Sequence, residues 1–198
     1  MKPEFSEDSF MALYPYGSRV YGTAQDTSDW DYVGIDKDVK TGEMIRGNAN
    51  IKLMTPEHFQ NLLEEHHITA IECYFLPDNL VEIKPVKPWK FKLLLSKLRH
   101  SFMEKVSKDW VKAKKKFISP YDAENELYRG KKALFHSFRI LSYGIQIAKF
   151  GKIIHYDEMN NVYDEIMTNP STNWEDYEKE WKDYYNSLSS EFRKVAPK

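Results

Sequence analysis

Two aspartates, Asp29 and Asp31, flank Trp30 and lead into the apolar run Tyr32-Val33-Gly34-Ile35. Such a run predicts a strand. Residues two apart on a strand share a face, so both carboxylates converge while Trp30 points away. Adjacent carboxylates repel unless a cation lies between them. Mg²⁺ is the natural occupant, because it favours oxygen ligands and is commonly shared between carboxylates and substrate phosphates. Two such ions would clamp the attacking and leaving oxygens of an in-line phosphoryl transfer.

Gly17-Ser18 supplies the complementary piece. A glycine at a strand-to-helix turn lets the backbone approach a phosphate closely, and the serine hydroxyl with the following N–H groups can donate to triphosphate oxygens. Arg19 adds a charge whose direction the sequence does not give. Ten residues separate Ser18 from Asp29, enough for a helical turn and a return to an adjacent strand. Asp-x-Asp alone says little: Asp36-Lys37-Asp38 repeats it nearby and reads as a turn. Gly-Ser, ten residues, then Asp-x-Asp entering an apolar strand is far more restrictive.

This arrangement resembles the signature of polymerase β-like nucleotidyltransferases. More narrowly, Gly17-Ser18-Arg19-Val20-Tyr21-Gly22-Thr23 followed by Ser28-Asp29-Trp30-Asp31-Tyr32-Val33-Gly34-Ile35 is similar to the predicted nucleotidyltransferases linked to RNA repair. The likeness continues loosely through Thr69-Ala70-Ile71-Glu72 and Lys132-Ala133-Leu134-Phe135-His136-Ser137-Phe138-Arg139, and so reaches about residues 10–155. It implies Mg²⁺-dependent transfer of a nucleoside monophosphate from a nucleoside triphosphate, with two Mg²⁺ ions and Mn²⁺ as the alternative. Asp29 and Asp31 would be the catalytic residues and metal ligands, and Gly17, Ser18 and Arg19 would bind nucleotide. The superfamily carries a third carboxylate on a following strand. Here the corresponding segment, Asn50-Ile51-Lys52-Leu53-Met54, contains no acid. Asn50 occupies that position or Glu72 supplies the acid. An asparagine can offer a carbonyl oxygen to a cation but cannot act as a base.

The elements that must hold these residues form an α+β fold: a small mixed β-sheet domain over residues 1–84, then a helical domain over 85–198. Strands are expected at Phe10–Tyr14, Tyr32–Ile35 and Ile51–Met54. A helix starts at Thr55-Pro56-Glu57, where Thr55 suits the N-cap and Pro56 the first turn. Pro85-Val86-Lys87-Pro88 reads as the connector. Helices are then expected over Lys90–Lys116 and Ala123–Phe150, the second with the stripe Leu127, Leu134, Phe138, Leu141, Ile145 and Ala148 and a stop at Gly151.

On that second helix, Lys132, His136, Arg139 and Tyr143 share a face. The family likeness turns this face toward nucleotide phosphate or acceptor, chiefly through His136 and Arg139; the alternative is a solvated flank. His66-His67 reads as a C-terminal cap pair rather than a metal site. Trp174, Tyr177, Trp181, Tyr184 and Tyr185 have helical spacing and read as packing rather than base stacking.

With 198 residues, 41% hydrophobic and 30% charged, the chain is expected to be globular rather than disordered. No apolar run approaches the roughly 20 residues of a membrane span, so no membrane partner is expected. A single cysteine, Cys73, permits no internal disulfide; with no secretory leader at Met1–Phe5, the cytoplasm is the expected compartment. Net charge is −1, yet Lys84–Lys116 holds twelve Lys/Arg against two acids, and Asp157–Glu191 holds ten acids against two lysines. That polarity suits an anionic partner or two helix faces that attract each other. The acceptor is left open between RNA, a protein and a small molecule, as is self-association. Three functions compete: a nucleotidyltransferase, a catalytically impaired relative that binds nucleotide, RNA or a partner protein, and an antitoxin-like enzyme that modifies a partner protein. The long helical region suits the last least.

Overall fold

The computed structural model describes residues 2–119 and 123–198. The architecture is α+β, a four-stranded mixed sheet followed by a helical region, in two compact units, Met1–Leu93 and Leu94–Lys198. Among the described residues no helix is long and apolar enough to cross a membrane.

In the first unit, β1 (Ala12–Tyr16), β2 (Trp30–Ile35), β3 (Gly42–Arg46) and β4 (Ala49–Met54) lie in the order β1-β2-β4-β3. β2 runs antiparallel to β1 and parallel to β4, and β3 pairs antiparallel with β4. β3 was not among the expected strands: four of its five residues are exposed and it lacks an apolar alternation, as suits a sheet edge. Strand alternation sorts the side chains. Leu13, Tyr32, Ala49 and Ile51 form one buried face with Phe10, and Phe5, Trp30, Met44 and Ile83 pack against it. The opposite face carries Tyr14, whose ring stacks on Phe59 at 5.9 Å.

Phe59 belongs to α2 (Pro56–Glu64), which Thr55 caps by accepting from the His58 N–H at 3.2 Å. His66 then takes a left-handed backbone, φ 58°, that closes α2, and the His67 imidazole caps α3 (Ile68–Phe75) by accepting from the Thr69 N–H. The two are therefore not a C-terminal pair: His66 follows the end of α2, whereas His67 caps the start of α3. The chain past Pro88 remains part of the first unit. Trp89 donates to the Tyr14 hydroxyl at 2.8 Å, Gln60 brackets the Lys90 backbone, and Phe91 packs on His66, Tyr74 and Phe75. These contacts hold the segment extended, so the next helix starts at Leu95, later than the expected Lys90.

In the second unit, α4 (Leu95–Phe117) packs on α5 (Ala123–Phe150), and α6 (Asn160–Thr168) and α7 (Trp174–Val195) complete the bundle. α5 is the central helix: Leu134, Phe138, Leu141 and Ile145 are buried, and so are Phe135, Ile140 and Ile147 outside that stripe. Gly151, at φ 74°, ends it. Trp174, Tyr177 and Trp181 are buried against Trp110, Phe117 and Phe138, so these aromatics are core. Lys105, Lys108 and Lys116 of α4 pair with Asp109, Glu104 and Glu126. After the Trp174 hydrogen bond, Lys114 is among the cations that lower the carboxyl of Glu178 on α7.

Gly144 of α5 lies under the Phe192 ring, and a Cβ built there would stand 2.7 Å from Phe192 Cζ. Because Phe192 is fully buried, Gly144→Ala should destabilise the unit by about 1–3 kcal/mol through overpacking, outweighing the roughly 1 kcal/mol alanine gains in helix propensity. A chemical-denaturation midpoint reads this directly; an unchanged or higher midpoint would contradict the contact.

Candidate functional site

Asp31 is the second residue of β2, and the sheet register places it in a row running Tyr16, Asp31, Asn50, Ile45 across β1, β2, β4 and β3. Side chains in one row of a sheet project to one face. They face a cleft of about 420 Å³, also lined by Lys52 and Glu43 one pleat further along the same face. Asp29 lies just before β2, exposed, and accepts a hydrogen bond from Asn50 Nδ2 at 3.2 Å. The two aspartates and Asn50 thus converge, and Trp30 points to the opposite face, where it stacks on Tyr32.

The turn between β1 and β2 is built against this row. Gly17 has φ 82° and ψ −158°, a conformation essentially restricted to glycine. A Cβ built on it would stand 2.6 Å from Asp31 Oδ2, so the bare backbone is what allows the turn to lie against the carboxylate. One helical turn, α1 (Ser18–Tyr21), follows and ends at Gly22 in the left-handed region. Ser18 stands between the two glycine-dependent bends.

Arg19 does not reach toward the cleft. Its guanidinium donates to the backbone carbonyls of Ser28 (2.5 Å) and Asp29 (3.2 Å) and lies 4.1 Å over the Trp30 ring. These contacts tie α1 to the loop that delivers Asp29, on the face away from Asp31.

The two candidate positions for the third acid separate clearly. Asn50 pairs with Asp31 in the β2–β4 register. Glu72 is buried in α3 and accepts from the Tyr21 hydroxyl at 2.9 Å. The position beside Asp31 is therefore held by a carboxamide, which donates to Asp29 and cannot accept a proton. Among the described residues no group of three or more His, Cys, Asp or Glu side chains could hold a metal ion. Asp36 forms the expected turn, accepting from the Lys37 N–H.

His136 and Arg139 lie in the helical unit. Arg139 is only 4% exposed; its Nε donates to His136 Nδ1 at 3.3 Å and its guanidinium lies 5.0 Å over the Tyr143 ring. His136, Arg139 and Tyr143 of the face the sequence marked are thus joined side chain to side chain, while Lys132 lies over the Tyr128 ring. Burial, then the charges of Arg139, Lys105, Lys132 and Lys112, push the His136 imidazole well below its ordinary range, so it stays neutral.

Lys52, Glu43 and Ile45 were missed by the sequence reading. Lys52 was within reach, since it stands two residues beyond Asn50 on one strand and must share its face; Glu43 and Ile45 lie on the unrecognised edge strand. No protein-family model matches the chain, and no curated protein matches it in sequence.

Gly17→Ala should remove the turn from Asp31, through both the left-handed backbone and the 2.6 Å contact. The expected result is a stability loss of about 1–3 kcal/mol in thermal unfolding. A wild-type midpoint would show that this contact is dispensable.

Proposed function

We propose that the protein is a Mg²⁺-dependent nucleotidyltransferase that moves a nucleoside monophosphate from a nucleoside triphosphate to a hydroxyl acceptor. The observation that carries this reading is the seating of the Gly17 backbone against the Asp31 carboxylate, with Asp29 held beside it through Asn50. A phosphate-gripping turn and a carboxylate pair in direct contact are what the reaction needs: one holds the triphosphate, the other presents acceptor and α-phosphorus to a divalent cation. That cation, Mg²⁺ or Mn²⁺, would be held by Asp29 and Asp31 and would offset charge on the phosphate oxygens.

In this reading the acceptor oxygen forms a bond to the α-phosphorus as the bond to the bridging oxygen breaks, and pyrophosphate leaves with that electron pair. The acceptor proton passes to water, since Asn50 cannot take it. Ser18 and the N–H groups of its turn hold phosphate oxygens. Lys52 adds a cation in the cleft. The acceptor is RNA or a protein; the basic α4 surface favours a polyanion. The cytoplasm, with its triphosphate pool, is the setting we assign, and assembly with further copies of the chain is compatible with this reading.

Asn50 favours a second reading, a catalytically impaired relative that binds the triphosphate complex without turning it over. Calorimetry with each nucleoside triphosphate and Mg²⁺ tests the site: wild type should bind and Asp29→Ala/Asp31→Ala should lose at least tenfold in affinity. Failure of wild type to bind any triphosphate would sink both readings. Transfer of label from an α-labelled triphosphate separates them. Asn50→Asp should raise transfer by about 100- to 10,000-fold if the missing acid limits the reaction, the usual range for a positioned base. An unchanged rate would show that the carboxamide is not limiting.

A further inference from the structure

α1 spans only one helical turn, and each of its ends is a glycine with positive φ, Gly17 at 82° and Gly22 at 78°. A single turn has no cooperative stability of its own, and two glycine bends leave its orientation free. Its position against Asp31 must come from side chains that tie it to longer elements. Arg19 supplies one tie, to the Ser28–Asp29 backbone and Trp30. Tyr21 supplies another on the far side of the turn. It is 2% exposed and its hydroxyl donates to Glu72 Oε2 at 2.9 Å.

Glu72 is an unusual choice for its place. Residues 68–73 of α3 are all buried, in the sequence Ile-Thr-Ala-Ile-Glu-Cys, and Glu72 is 4% exposed. A buried carboxylate costs several kcal/mol unless hydrogen bonds compensate it, and an apolar side chain of similar volume often stabilises as well. A carboxylate does what an apolar side chain cannot: it holds the tyrosine hydroxyl in one direction through a charge-assisted bond.

We infer that Glu72 is a positioning residue that, through the Tyr21 hydroxyl, holds the Gly17–Ser18 turn against Asp31 and so sets the affinity of the site for the triphosphate. This rests on the nucleotidyltransferase reading for its ligand, but the tie between α3 and α1 stands on geometry alone. Triphosphate bound at the turn and order in α1 then reinforce one another, because one hydrogen bond serves both.

Two measurements on the whole chain test this. The first needs no ligand: amide hydrogen exchange of residues 18–23 should rise at least tenfold in Tyr21→Phe and in Glu72→Ala, with α2 and β4 unchanged, and should return close to wild type in Glu72→Gln, which keeps an acceptor oxygen. The second is calorimetric binding of nucleoside triphosphate with Mg²⁺. Tyr21→Phe should weaken it about tenfold, as for loss of one hydrogen bond to a charged group, and nucleoside monophosphate much less. Combining Tyr21→Phe with Glu72→Ala should add little to Glu72→Ala alone. Unchanged exchange in residues 18–23 in both Tyr21→Phe and Glu72→Ala overturns the tie itself. Raised exchange with unaltered triphosphate affinity overturns its role in the site. A wild type that binds no triphosphate, with the exchange result intact, overturns the nucleotidyltransferase reading and the affinity claim with it, and leaves the tie standing.

Discussion

The close approach of the Gly17 backbone to the Asp31 carboxylate constrains everything around it in the first unit. A side chain at position 17 would meet Asp31 Oδ2 at 2.6 Å, and the backbone angles there suit glycine alone. With the approach fixed, β1 must end at Tyr16 and the chain must turn back over β2 within a few residues. Asp31 must also lie at the start of β2, where the sheet opens into the cleft. The remaining anchors, Arg19 on the Ser28–Asp29 backbone and Tyr21 on Glu72, hold that geometry from its two sides.

The sheet and its helices give those anchors a rigid frame. β2 and β4 are parallel and adjacent, which brings Asn50 beside Asp31 even though the two lie far apart in sequence. On the cleft side the aromatic group Tyr14, Phe59 and Trp89 joins β1 to α2 and to the segment after Pro88. Burial there pushes the Tyr14 hydroxyl up to about 12, so it remains a neutral partner for Trp89 at any physiological pH. The second unit uses a different device. Gln146 bonds the His155 and Ile154 backbone and shares Glu158 with Ser142, while Lys131 caps the Met167 and Asn169 carbonyls. These contacts fix the chain on either side of α6 against α5, so a helix of nine residues is held by polar side chains as well as by Val162 and Ile166.

The charges of the helical unit meet both within and between helices, as where Lys149 pairs with Glu191 and Lys114 adds to the Trp174 hydrogen bond in lowering the carboxyl of Glu178. The α4 lysines nearest the bundle find acids in their own helix or at Glu126, whereas His136 sits among cations and stays neutral. The neutral imidazole accepts from the buried Arg139 guanidinium.

Local sequence determined the pieces whose physics is short-range. The Gly-Ser to Asp-x-Asp spacing predicted a turn and a strand, alternation predicted that Asp29 and Asp31 share a face, Thr55-Pro56 predicted a helix start, and the stripe from Leu127 to Ala148 predicted α5. Tertiary structure alone decided what depends on strand partners and side-chain direction. No local pattern marks β3, because a mostly polar edge strand is defined only by the strand it joins. Whether Asn50 or Glu72 stood beside Asp31 depended on the parallel register of β2 with β4. Arg19 turned toward Trp30 and the loop carbonyls because those lie on the face opposite Asp31. Glu72, far from Tyr21 in sequence, became its partner only when α3 packed behind α1, since burial leaves a carboxylate no alternative to a hydrogen-bonded neighbour.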